Sequence, residues 1–312
     1  MFAVAAVLFG GTFVAAKAGL AHLPPLLFVA IRFDIGAIVL AGYAAFALSR
    51  EELRPRTIGD AVGIAATGLL VIGLTNALLF VGQQYTTSGV AAIVFSLNPI
   101  LTPVFAALLL ADERLSVRGG IGTGLGLLGV VLVASPGADG LLAGGPGVLI
   151  LLGGAVASAL GAVLIRRADA NLSSTARTVW GVPLAAVLTH LFSYGAGESV
   201  SSVSVTPTAV LALAYVGVFS GAIAYLAYFA LIDAGGATRA NLIFYVIPIV
   251  SALGGWLLLG ESISRATVLG FAVIIAGFAI IGSRAIGRVI RDRRDGSGEP
   301  REEPPAPECP AD

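Results

Sequence analysis

Phe95-Ser96-Leu97-Asn98-Pro99-Ile100-Leu101-Thr102 returns 149 residues later as Phe244-Tyr245-Val246-Ile247-Pro248-Ile249-Val250-Ser251, with the pattern Phe-x3-Pro-x2-Thr/Ser kept. The match extends outward at the same offset. Gly68 meets Gly217, Asn76 meets Tyr225, Phe80 meets Phe229 and Ala91 meets Ala240. Downstream one residue is lost and the offset becomes 148, so that Glu113 meets Glu261, Ser116 meets Ser264, Gly122 meets Gly270 and Gly129 meets Gly277. Matched glycines arise easily by chance; a Phe/Pro/Ser-Thr run followed by a Glu at the end of the same apolar stretch does not. The chain is read as two copies of one unit.

Each copy is made of membrane spans. Of the 312 residues, 57% are apolar and only 12% are charged, and the mean hydropathy is +0.96. Soluble domains are about 25% charged. Too little polar surface remains to coat a water-soluble fold, which excludes a cytosolic enzyme, a secreted disulfide scaffold and a nucleic-acid binder. Lys+Arg equals Asp+Glu at 18 each, so no net field draws a charged partner. A lone cysteine, Cys309, and two distant histidines, His22 and His190, offer no metal site, and no cofactor is expected.

About 20 apolar residues span a bilayer. Ten such stretches are predicted, at 2–20, 26–48, 58–81, 88–110, 119–135, 147–165, 175–194, 208–231, 238–259 and 266–285. Runs that are apolar on every side fit helices and not barrel strands. The first span has no basic segment before it and is long for a signal peptide, so it is expected to stay. The fold class is therefore an all-α membrane protein with ten transmembrane helices: a first five-helix repeat at 1–135, a second at 146–285, and a basic then disordered tail at 286–312.

Five is an odd number, so the second copy crosses in the opposite sense and the repeat is inverted. Counting loops from a cytoplasmic N-terminus places Arg50, Arg54, Arg56, Arg114, Arg118, Arg166, Arg167 and Arg239 inside and only Arg265 outside. The positive-inside rule then puts both termini in the cytoplasm, in a multi-pass protein of the cell membrane. Glu113 is expected inside and Glu261 outside. Inverted repeats recur in secondary transporters, because two related halves give two access states of similar energy.

The strings Gln84-Tyr85-Thr86-Thr87-Ser88-Gly89-Val90-Ala91-Ala92, Leu97-Asn98-Pro99-Ile100-Leu101-Thr102-Pro103 and Ala111-Asp112-Glu113-Arg114-Leu115-Ser116 resemble the drug/metabolite transporter superfamily, and within it the EamA-type members. Ile247-Pro248 through Gly260-Glu261-Ser262-Ile263-Ser264 fits the same pattern in the second copy, and Gly10-Gly11-Thr12-Phe13-Val14-Ala15-Ala16-Lys17 resembles the family's first-helix signature. The resemblance covers about 1–285. It implies a ten-helix carrier of small metabolites, often an exporter of amino acids or related compounds, with a central cavity between two four-helix sets and the fifth and tenth helices peripheral. The second copy lacks the Arg after its Glu and the Asn before its Pro, so no symmetric role carries over to Arg114 or Asn98.

Helical spacing selects the faces expected to line that cavity. Gly73, Asn76, Phe80 and Gln83 share one face of the third span; Tyr225, Tyr228, Phe229 and Ile232 occupy the equivalent stripe of the eighth. Ser88, Phe95, Pro99 and Thr102 align on the fourth, and Asn241, Phe244, Tyr245, Pro248 and Ser251 on the ninth. Polar groups at bilayer depth must face protein or water, so these stripes are the candidate substrate-binding surface. Pro99 and Pro248 each remove a backbone donor near mid-membrane, which makes them a packing kink or a gating element. Gly122, Gly124, Gly126 and Gly129, with Gly270 and Gly277, are read as faces of close helix approach. Among charges in the spans, Lys17, Arg32 and Asp34 stand out. Lys17 is the expected partner of Asp34, Arg177 is expected at lipid headgroups, and Glu113 and Glu261 at caps or loop contacts. The path so drawn is neutral, aromatic and amide-lined. It suits small amphipathic solutes better than phosphorylated ones, although a phosphorylated-metabolite or sugar carrier of the same superfamily and a non-transporting membrane scaffold or receptor remain alternatives.

Overall fold

Apolar runs punctuated by Pro, Gly and capping hydroxyls fold as helices wherever the structure is described. The computed structural model describes residues 2–111, 113–134, 145–223 and 243–295, with side chains described to 219 in the third stretch and to 281 in the last. The helices are α1 (Phe2–Leu20), α2 (Pro25–Ala47), the short α3 (Arg50–Leu53), α4 (Ile58–Ala65), α5 (Thr75–Gln83), α6 (Ser88–Phe95), α7 (Asn98–Leu109), α8 (Val117–Ala134), α9 (Gly145–Arg167), α10 (Ser174–Gly195), α11 (Pro207–Ala214), α12 (Ile243–Leu259) and α13 (Arg265–Asp295). π-Helical stretches at Ala66–Leu74 and Tyr215–Ile223 extend α4 and α11. No strand occurs among the described residues.

Among the described residues, six helical runs are long and apolar enough to cross a membrane: Phe2–Leu20, Pro25–Ala47, Ile58–Gln83, Ser88–Leu109, Val117–Ala134 and Gly145–Arg167. Pro207–Phe219, Ile243–Leu259 and Arg265–Ile281 are shorter apolar helices. At about 1.5 Å per residue, the 23 residues of α9 reach roughly 35 Å, enough for the hydrocarbon layer. Large apolar side chains point away from the bundle, as with Phe46 (94% exposed) and Leu258 (77%), so lipid and not water is the matching solvent. The interior packs around Phe28, Phe80, Leu97, Ile100, Leu151 and Ile243.

The boundaries repeat. Ile58–Ala65 and Pro207–Ala214 are offset by 149 residues at both ends, and so are the two π-helical stretches that follow them. π-Helices are rare and concentrate at functional sites. In the first, the Thr75 hydroxyl donates to the Leu70 carbonyl at 2.7 Å. Helices α8 and α13 pack antiparallel through glycines. A Cβ on Gly122 would lie 2.5 Å from the Gly277 carbonyl, and one on Gly129 would lie 2.6 Å from the Gly270 carbonyl. Because Gly122 corresponds to Gly270 and Gly129 to Gly277, exchanging the copies maps this contact onto itself. Gly124, which the sequence places in the same string, is exposed with open space around it.

Carboxylates pin the helix starts. Glu198 accepts from the Leu26 and Leu27 amides (3.1 and 2.7 Å) and from the Ser193 hydroxyl (2.9 Å), capping α2 from the end of α10. Asp60 accepts from Arg56, Thr57, Asn171 and Leu172 amides, which binds the start of α4 to the turn before α10. Such anionic caps satisfy orphan amides at the positive end of a helix.

Three features add detail to the expectations. The fourth span is interrupted beside its proline: α6 ends at Phe95 and α7 starts at Asn98, with Pro99 in its first turn and Ser96 and Leu97 between them still in the right-handed helical region. Pro248, by contrast, lies inside the continuous α12. The basic segment after 285 is helical to Asp295, since α13 runs on without a break; residues 296–312 lie outside the described residues. Arg177, expected at lipid headgroups, also donates to the Leu172 carbonyl at 2.8 Å.

Candidate functional site

The predicted residues of the first copy converge on the inner faces of α1, α2, α5 and α6. Phe80 is fully buried; its ring meets Phe28 edge-on at 5.1 Å, and the Arg32 guanidinium lies 5.6 Å from its centroid. One turn on, Gln83 is also fully buried and donates through Nε2 to the Phe13 carbonyl at 2.5 Å. The Phe13 ring meets Phe95 edge-on at 6.2 Å. Asn76 is half-buried and donates to the Ile72 carbonyl. Thr102 bonds the Asn98 carbonyl at 2.8 Å, while the Asn98 amide donates to the Ser158 hydroxyl at 2.7 Å. The result is a continuous strip of rings and amides, with one cation held over an aromatic face.

In the second copy, Ser251 is fully buried and donates to the Ser88 carbonyl at 2.8 Å, joining α12 to α6. Phe244 packs against the main core, and Tyr245 meets Phe278 edge-on at 4.3 Å. Tyr245 therefore turns toward α13. Tyr225, Tyr228, Phe229 and Asn241 lie outside the described residues. Two buried polar atoms, Gln83 Oε1 and Tyr245 OH, have no hydrogen-bond partner among the described residues. A buried acceptor without a donor costs about 1–3 kcal/mol, so such atoms suit a site completed by a solute or water.

The charges do not pair as expected. Asp34 is bound by His190 Nε2 at 2.9 Å, not by Lys17. Lys17 donates to the carbonyls of Gln83 (2.8 Å), Gln84 (3.3 Å) and Thr86 (2.7 Å). The reason is reach: Lys17 lies in the last turn of α1, next to the α5–α6 turn, whereas Asp34 faces α10. Glu261 accepts from the Ser88 amide and hydroxyl and so caps α6, while Glu113 pairs with Arg166 at 2.6 Å. No spacing rule points to the Asp34–His190 pair, the Asn98–Ser158 bond or the Glu198 cap, all of which join distant segments.

Two clefts open at opposite ends of the bundle. One, of about 450 Å³, is lined by Lys17, Gln84, Thr86, Glu261 and neighbours; the other, of about 410 Å³, by Glu52, Arg54, Arg56, Asp60 and Asn171 among others. Asp60 starts the α4–α5 run and Gln84 follows its end, which sets the clefts a membrane thickness apart.

A lipid-facing helical bundle with a buried polar-aromatic strip defines a polytopic membrane protein built to handle small solutes. Its profile matches the EamA-like transporter family over residues 1–135 and 145–283, and the chain belongs to that family. It is 29% identical to the "uncharacterized transporter YvbV" of Bacillus subtilis (strain 168), over 91% of each chain. It is also 29% identical to the "uncharacterized inner membrane transporter YedA" of Escherichia coli (strain K12), over 88% of this chain and 86% of that one. A solved crystal structure 26% identical in sequence superposes with a TM-score of 0.61, over 89% of this chain and 95% of the other.

Proposed function

We propose that the protein is a secondary transporter that moves small amphipathic metabolites, amino-acid-like solutes among them, out of the cell by alternating access. In this reading the chain is an inverted pair of five-helix repeats, 1–135 and 146–285, with both termini cytoplasmic. The observation that carries it is the recurrence of α4 and its π-helical extension at a constant 149-residue offset, together with the self-mapping antiparallel glycine contact of α8 and α13. Two related halves of opposite sense supply two packings of similar energy, which alternating access requires. The two separate family matches, at 1–135 and 145–283, support the same division.

The solute path runs along Asn76, Phe80, Gln83, Phe95 and Thr102 in one half and Tyr225, Tyr228, Phe229, Asn241, Phe244, Tyr245 and Ser251 in the other. Arg32 over Phe80 gives the path one fixed cation, and the unpartnered Gln83 Oε1 gives it an acceptor. Such a strip favours a solute with one carboxylate and an apolar body over a phosphate, which calls for clustered bases. The test is counterflow in proteoliposomes across an amino-acid, sugar and nucleoside panel, with Cys309→Ser as background and Asn76→Cys as reporter. Exchange of at least one solute, and protection of the introduced thiol by that solute, is the expected result. Absence of exchange across the panel, with no labelling at position 76 from either side, overturns the reading.

A further inference from the structure

Asp34 and His190 form an acid–base pair for which the solute path has no use. His190 Nε2 lies 2.9 Å from Asp34 Oδ2. From Pro25 to Asp34, α2 rises about 14 Å at ~1.5 Å per residue, which puts the carboxylate near the middle of a layer ~30 Å thick. An ionisable group at that depth is costly and marks a functional site. The pair also joins the two copies, since α2 belongs to the first and α10 to the second. Their first residues, Pro25 and Ser174, stand at the 149-residue offset, so these packed helices are each other's counterparts. In the inverted-repeat reading, counterparts in contact straddle the axis that relates the halves. The pair itself is not doubled: the same offset carries Asp34 to Pro183 and His190 back to Ala41, neither of which ionises.

Among the described residues, the other charged and titratable groups on elements packed against α2 and α10 are engaged elsewhere. Lys17 of α1 donates to carbonyls of the α5–α6 turn, Tyr215 to those of Val7 and Leu8, and Arg177 to that of Leu172. Asp60 of α4 and Glu198 after α10 sit in their caps. The α3 group of Arg50, Glu51 and Glu52 follows the end of α2, and from Asp34 to Ala47 that helix rises about 20 Å. Arg32 lies over the rings of Phe33 and Phe80, and residues two apart on a helix point different ways. Tyr43 and Tyr194 are exposed, while α5 and the Ala66–Leu74 stretch carry no titratable group. About half of each paired side chain is open (47% for Asp34, 46% for His190), and Ile38 and Val187 beside them are exposed to lipid. With lipid at its edge the pair costs least when it carries one proton in all. With none, a bare carboxylate is left at bilayer depth; with two, a bare imidazolium.

We infer that Asp34 and His190 form the proton-binding site that couples this carrier to a pH gradient. The inference rests on the alternating-access reading above and adds the driving ion to it. One proton held between Nε2 and Oδ2 keeps the seam between α2 and α10 neutral while the halves rock past each other. The proton comes from water on the side to which the carrier is open and goes to water on the other side. Only N–H and O–H bonds are made and broken. Either ligand permits the crossing: the proton by neutralising the pair, the solute through the contacts it makes along the path. An empty carrier has neither, which ties solute leaving the cell to a proton entering it. Because the pair is single, one proton is exchanged per solute.

The test reconstitutes the full chain in proteoliposomes, with an equimolar mixture of labelled neutral L-amino acids as the probe and the membrane potential clamped by potassium and valinomycin. With the lumen about one pH unit more acid than the medium, the parent is expected to concentrate label about tenfold inside, the ratio that one proton exchanged per solute sustains. Asp34→Asn, alone or with His190→Gln, makes the pair neutral without a proton. Neither residue lies on the solute path, so counterflow at equal pH persists while the ratio falls to about one. The exchanged pair, Asp34→His with His190→Asp, keeps both groups and is expected to keep the tenfold ratio. A tenfold ratio retained by either neutral variant refutes the coupling site. So does an exchanged pair that counterflows without concentrating label, or a parent that counterflows yet holds a ratio of about one. Neutral variants that melt like the parent but lose counterflow as well refute it too, because the pair then serves the solute path. Label expelled from the acid lumen keeps the coupling site and overturns export. Absence of counterflow in the parent sinks the carrier reading, and the coupling with it.

Discussion

Helix α8 carries glycines whose surroundings predict opposite effects from one substitution. At Gly129 an alanine Cβ would lie 2.5 Å from Ile274 Cγ1, 2.6 Å from the Gly270 carbonyl oxygen and 3.1 Å from the Ile274 amide. Ordinary contact begins near 3.4 Å, so α8 and α13 must part by about 0.9 Å. Neither obstacle yields, because one is backbone and the other is a side chain only 1% exposed. Overpacking of this kind costs about 1–3 kcal/mol. At Gly124 nothing lies within 4 Å, and alanine there gains the helix-propensity difference of about 0.5–1 kcal/mol. Gly129→Ala and Gly124→Ala should thus differ by about 1.5–4 kcal/mol, with opposite signs relative to the parent. Thermal denaturation of the detergent-solubilised protein, followed by fluorescence-detected size exclusion, resolves a difference of several degrees. If Gly129→Ala melts at or above Gly124→Ala, the antiparallel glycine contact is wrong, and the pseudo-symmetric crossing falls with it.

Two further outcomes follow from the carboxylate caps. Glu198→Gln keeps one acceptor for the two amides and the hydroxyl that Glu198 serves and removes the charge facing the α2 N-terminus, so it should destabilise by about 1 kcal/mol, read from the same melting curve. An unchanged midpoint would show that the cap contributes nothing. Asp60 takes two backbone N–H groups on each oxygen, one pair from each of two segments, so Asp60→Asn turns an amide donor toward one of those pairs and should lower the midpoint more than Glu198→Gln does. The reverse order would mean that the link between the α4 start and the turn before α10 is not made.

The candidate site was legible in part. Phe80 and Gln83 fall on one face because 3.6-residue periodicity fixes which side chains share a side, and they do line up inside the bundle beside Phe95. Periodicity does not say what stands opposite. It offered Lys17 as partner for Asp34, when the length of α1 delivers Lys17 to the α5–α6 carbonyls and α10 brings His190 to Asp34. The glycine string shows the same limit. Gly122, Gly126 and Gly129 are buried while Gly124 faces outward, a distinction that needs only the helical angle but acquires meaning only when α13 is found on the near side.

Composition and hydropathy by themselves determined that the chain is helical and bilayer-embedded, because each backbone polar group in hydrocarbon must be satisfied within its own segment. The repeated Phe-x3-Pro-x2-Thr/Ser run determined that the sequence has two related halves. Only the tertiary structure decided which glutamate caps a helix and which pairs with a cation. Glu113 and Glu261 stand in equivalent places in sequence, and what separates them is the position of Ser88, Lys17 and Arg166 around them, set by packing between segments as far as 173 residues apart.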